Sequence, residues 1–137
     1  MIDCKRLAIE RFISEVDSAY EETYGPVGAT YNNFIGWVAR LVLENIANSD
    51  MLYHDVEHTM LVTLAGQEIL RGKHLSEGGV RPEDWIHFMM AVLCHDIGYV
   101  KGVCRDDKEG VYATGVNGTT VELPKGGTNA ALTPYSC

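Results

Sequence analysis

Two short stretches of this chain place imidazole and carboxylate where they can act together. His54 and His58 are four residues apart, and His95 is followed directly by Asp96. Within a helix, residues four apart share a face. The spacing therefore predicts that His54 and His58 project together from the start of a helix. The His95-Asp96 doublet adds a carboxylate at the end of another. Imidazole with carboxylate suits a divalent first-row ion such as Mn, Fe, Ni or Zn. Such an ion polarises a phosphoryl oxygen and lowers the pKa of a bound water. The plainer alternative is a hydrogen-bonded pair at a helix end, with the spaced histidines on a solvated face.

These residues need helices to hold them, and the periodicity of apolar residues supplies four. The first is expected over residues 5–24, with Leu7, Phe12, Ile13, Val16 and Tyr20 at helical spacing. Gly25-Pro26 stops it. The second fits residues 31–47, with Phe34, Ile35, Val38, Leu41, Val42 and Ile46 on one broad face. The third runs over residues 55–71, carries Met60, Leu61, Leu64, Ala65 and Ile69, and is expected to end over Gly72 and the stretch Ser76-Glu77-Gly78-Gly79. The fourth begins at Pro82, suited to a first helical position, with Glu83 and Asp84 in its first turn. Trp85, Phe88, Met89, Val92 and Leu93 form its buried stripe. After Gly98 glycine and threonine dominate, and Asn117-Gly118 between residues 111–116 and 119–123 signals a two-residue hairpin. The expected fold is mainly α: a bundle of about four to five helices over residues 5–100, followed by a hairpin and irregular tail over 102–137, in a single domain.

The stretch Tyr53-His54-Asp55-Val56-Glu57-His58, with Cys94-His95-Asp96-Ile97-Gly98 downstream, resembles the HD-domain superfamily of metal-dependent phosphohydrolases. It is most similar to the branch of cyclic-nucleotide phosphodiesterases, where a Tyr-His-Asn-x-x-His stretch precedes the His-Asp doublet. The resemblance covers about residues 50–105 and implies an HD-like helical bundle. It also implies hydrolysis of a nucleotide or other small phosphoester by metal-activated water. His58, His95 and Asp96 would hold a divalent ion (Mn, Fe, Ni, Zn or Mg), and Asp96 can bridge two. His54 matches the histidine that protonates the leaving oxygen, a role that suits a group titrating near neutrality. Lys101 and Arg105, just after the doublet, would neutralise substrate phosphate; the alternative for both is plain surface charge.

Two departures from that family stand out. Asp55 replaces the asparagine of the phosphodiesterase branch. HD enzymes also complete the site with a distal aspartate on a later helix, whereas the residues after Asp96 read as loop and hairpin. Asp106 or Asp107 could fold back as a substitute, a second subunit could supply the group, or the chain could be a non-catalytic binding or oligomerisation module. Absent terminal helices leave apolar surface uncovered, which predicts a homo-oligomer, most simply a dimer.

Composition narrows the remaining classes. Hydrophobic residues make up 46% and charged residues 22%, as in globular proteins. No apolar run reaches the ~18 residues of a membrane span, and no apolar signal core follows the N-terminus, so a cytoplasmic protein without a membrane partner is expected. Nineteen acids against eleven bases give a net charge of −8, which disfavours nucleic acid. The four cysteines form no CxxC pair and are expected to be reduced. His74 is expected in a solvated turn and His87 at or near the surface.

Overall fold

A computed structural model describes residues 3–49, 55–100, 102, 104, 105, 107–113 and 118–122. It is mainly helical, with four α-helices and one small antiparallel sheet. Helix α1 spans Cys4–Tyr24, and the Asp3 carboxylate caps it by accepting the Arg6 N–H. Ile9, Phe12, Ile13, Val16, Ala19 and Tyr20 form its buried face, while Leu7, expected on that stripe, is exposed. A 3-10 segment, Gly25–Tyr31, leads to α2, Phe34–Ala47. Ile35, Val38, Val42 and Ile46 of α2 are buried, as their spacing predicts; Phe34 and Leu41 are exposed.

The start of α2 is capped from another helix. Its own N-cap residue, Asn33, sits in the left-handed region at φ 63° and makes no side-chain cap. Asp17 of α1 instead accepts the Gly36 N–H at 2.9 Å, one of the donors that a helix start leaves without an intrahelical partner. Gly36 is required for this approach, since a Cβ there would lie 2.1 Å from Asp17 Oδ2.

Helix α3 spans Val56–Glu77 and α4 spans Pro82–Cys94. The helix runs past Gly72, since a helical glycine costs only about 1 kcal/mol, and stops at the expected Gly78 and Gly79, both with positive φ. The short connection makes α3 and α4 antiparallel neighbours, joined closely where Gly66 faces the Phe88 ring. Tyr24 pins the connection by donating to the Val80 carbonyl at 2.8 Å; burial holds its hydroxyl pKa up at about 12.

The inward face of α3 differs from the expected one. Val56, Thr59, Thr63, Gln67 and Leu70 are buried, whereas Leu61, Ala65 and Ile69 are exposed. Thr63 can be buried because its hydroxyl donates to the Thr59 carbonyl at 2.7 Å. The α4 stripe is close to expectation: Trp85, Met89 and Leu93 are buried, with Phe88 and Val92 half-buried.

Beyond α4, a 3-10 turn at Ile97–Tyr99 precedes β1 (Val111–Ala113) and β2 (Thr120–Glu122). The hairpin exists, but Ala113 pairs with Thr120 and Tyr112 with Val121. A two-residue turn at Asn117-Gly118 would pair Ala113 with Glu122, so the register differs from the expected one by two residues. The end of β1 is fixed from outside the hairpin: Asp107 accepts the N–H groups of both Gly102 and Ala113, each at 2.8 Å. Cys4 and Cys94 are free, whereas Cys104 is disulfide-bonded, against the expectation of reduced thiols. Among the described residues no helix is long and apolar enough to cross a membrane.

Burial raises the Asp17 pKa, and the Gly36 hydrogen bond opposes that shift. A carboxyl raised on folding contributes stability that is complete below its unfolded pKa and is lost as pH rises through the folded one. Asp17→Asn keeps an acceptor for Gly36 and removes the charge. In denaturant melts across roughly pH 3–7, its stability relative to wild type should rise with pH. Asp17→Ala removes the cap and should cost about 1 kcal/mol, and Gly36→Ala about 1–3 kcal/mol.

Candidate metal centre

The start of α3 and the end of α4 meet, because the two helices are antiparallel. Asp55 is the N-cap of α3, with its carboxylate accepting the His58 N–H at 2.9 Å. His58 is thus held in the first turn. Asp and Asn cap equally well, so Asp55 in place of asparagine leaves this helix start intact. The helix begins at Val56 and carries His58. His54 itself lies outside the described residues, as do Lys101 and Asp106.

His95 is the residue that follows α4, and Asp96 begins the turn beyond it. His95 Nδ1 lies 2.6 Å from the Val92 carbonyl oxygen. A carbonyl only accepts, so Nδ1 carries the hydrogen and the ring is fixed in orientation. Its other nitrogen, Nε2, lies 2.9 Å from Asp96 Oδ2. From α3, His58 Nε2 comes within 3.4 Å of the same oxygen. The two imidazole rings are 5.6 Å apart between centroids. Asp96 is only 4% exposed, so its charge demands partners.

These donors fit one ion. Ligand bonds of about 2.0–2.2 Å place the neighbouring donors of a single tetrahedral or octahedral ion roughly 2.8–3.6 Å apart. The 2.9 and 3.4 Å separations match that range, and the ligand atoms of all three residues lie within 4.8 Å of one another. The backbone hydrogen bond from His95 Nδ1 is also the outer contact that metal-binding histidines make. With that N–H spent on Val92, Nε2 meets the carboxylate either as a protonated N–H or through a shared cation.

The other sequence candidates fall elsewhere. Arg105 is exposed on the loop before β1 and is not part of the His58–His95–Asp96 group. Asp107, considered as a substitute ligand, has both carboxylate oxygens engaged by backbone amides. His87 is exposed. His74 is in the last turn of α3, not in a solvated turn; its ring packs 5.6 Å from that of Tyr24. Thr59, Thr63 and Gln67 lie on the inward face of α3, which an apolar pattern does not reveal, because threonine and glutamine carry no apolar signal. Their spacing of four was the only trace.

The family described as Npun_R2479-like matches residues 2–137, and the chain belongs to that family. That description names no activity. No curated protein and no solved structure matches the chain.

The double engagement of Asp107 has a measurable consequence. Hydrogen bonds to charged groups contribute roughly 1.5–3 kcal/mol each. In Asp107→Ala, amide exchange at Ala113 should quicken by about tenfold or more, with the helical circular-dichroism signal unchanged. Unaltered exchange would show that the hairpin is held by other contacts.

Proposed function

We propose that this member of the Npun_R2479-like family is a metal-dependent phosphohydrolase of the HD type, acting on a nucleotide or other small phosphoester. The observation that supports the reading is the convergence of His58 Nε2, His95 and Asp96 from two helices on one point. In this reading those three residues hold a divalent ion, which when bound supplies Lewis acidity toward the phosphoryl group and a more acidic water. Asp96 is the shared anionic ligand. His95 is oriented by Val92, and His58 is positioned by the Asp55 cap. His54 delivers a proton to the leaving oxygen, and Lys101 and Arg105 neutralise the substrate phosphate.

A second reading rests on a separate observation. Among the described residues no further acid joins the His58–His95–Asp96 group, and Asp107 is occupied structurally. A chain that keeps the fold and a ligand set without turnover would be a binding or oligomerisation module. In either reading the chain self-associates. The support is a stripe on α2 where Phe34, Trp37 and Leu41 are 40%, 64% and 50% exposed.

Metal content should be near stoichiometric by elemental analysis of untagged protein prepared without chelator, and should be lost in His58→Ala. Activity against a phosphoester panel should follow the metal and vanish in His95→Ala. Stoichiometric metal without turnover would favour the binding module; no metal after reloading would remove both metal readings. Sedimentation at micromolar concentration should show a dimer that Trp37→Glu converts to a monomer. A monomeric wild type would contradict self-association.

A further inference from the structure

Gly66 lies near the middle of α3, where glycine is a poor helix former. The facing helix explains its presence. A Cβ at position 66 would lie 3.1 and 3.3 Å from two atoms of the Phe88 ring and 3.5 Å from Val92 Cγ2. Phe88 and Val92 are four residues apart and present one face of α4 to this point. Val92 also carries the carbonyl oxygen that holds His95 Nδ1 at 2.6 Å. Its side chain therefore meets α3 beside Gly66, while its backbone grips the His95 ring. The tolerance at that ring is small. Metal–ligand distances hold to about 0.2 Å, and His95 Nε2 stands 2.9 Å from the Asp96 oxygen that His58 approaches at 3.4 Å. A methyl group at position 66 needs the Phe88 ring to give by a few tenths of an ångström. Trp85, Met89 and Leu93 of the same helix have no exposed surface, and a close-packed interior transmits such a displacement rather than absorbing it.

We infer that Gly66 is a positioning residue for His95. By admitting Phe88 and Val92 to close contact with α3, it fixes the Val92 carbonyl and so the direction in which His95 Nε2 points. Gly66 supplies no ligand atom and acts only through Val92. The consequence for ion binding rests on the metal reading proposed above; the consequence for the ring's orientation does not. Gly72 is the matched comparison, since it also lies in α3, is exposed, and has nothing within 4 Å of its Cβ position.

Gly66→Ala and Gly72→Ala both raise helix propensity, so a difference between them reports the contact with α4. In metal-free protein, three-bond couplings to the His95 ring carbon read its χ1 rotamer. Wild type and Gly72→Ala should show one rotamer, and Gly66→Ala an average over several. Val92→Ala keeps the carbonyl but removes the side chain beside Gly66, so it should show the same averaging; it decides the matter if Gly66→Ala does not fold. In zinc titrations against a chromophoric chelator, Gly66→Ala should bind about tenfold more weakly, the scale of losing an outer contact to a metal-bound histidine, with Gly72→Ala at wild-type affinity. Phe88→Leu removes the ring that the new methyl meets, so in that background Gly66→Ala should change neither reading. A single His95 rotamer in Gly66→Ala or Val92→Ala, or equal averaging in Gly72→Ala, would overturn the assignment. Undiminished zinc affinity in Gly66→Ala would also overturn it and leave the metal reading intact. A wild type that binds no zinc yet shows the rotamer pattern would remove the metal reading and leave the positioning role standing.

Discussion

A carboxylate that is 4% exposed must be met by donors or cations, and the architecture around Asp96 answers that demand. One imidazole comes from its sequence neighbour, oriented through the Val92 carbonyl. The other arrives from the first turn of α3. Both depend on α3 and α4 running antiparallel at a fixed offset. That offset is held at mid-length, where a Cβ on Gly66 would approach the Phe88 ring to 3.1 Å. It is held at the far end by Tyr24, which bonds the Val80 carbonyl and packs edge-on against Trp85.

The same economy recurs at the α1–α2 contact. Asp17 supplies the cap that Asn33 does not, and only glycine at position 36 permits the approach. Both interhelical contacts pair a helix glycine with a side chain from the facing helix. In the first the partner is a ring and in the second a carboxylate. One aspartate closes a helix start across the bundle, another caps its own helix at His58, and a third anchors the hairpin. Asp96 meets imidazole nitrogens of His58 and His95.

Much of the helical layout was legible in the residues. The apolar period of α1, α2 and α4, Pro82 with its acidic successors, and the Gly25-Pro26 stop all point to elements that form. The order and placement of His58 and His95-Asp96 were legible as well. What failed did so for tertiary reasons. Leu61 and Ile69 look like core residues, yet Thr63 hides its hydroxyl on the Thr59 carbonyl and takes the inward position. The hairpin register differs by two residues from the one the Asn117-Gly118 dipeptide implies. The Asp17 cap joins residues nineteen apart and leaves no local pattern.

The account of function turns on whether the nitrogens of His58 and His95 and the Asp96 carboxylate share one cation. The most direct measurement is X-ray absorption at the zinc edge, on chelator-stripped protein given one equivalent of zinc, for wild type and Asp96→Asn. The account predicts two imidazole nitrogens and a carboxylate oxygen around the ion at about 2.0–2.2 Å, with the imidazole scattering lost or reduced in the variant. A spectrum of fully hydrated zinc, or one identical in Asp96→Asn, would contradict it and leave the cluster as a protonated hydrogen-bonded pair.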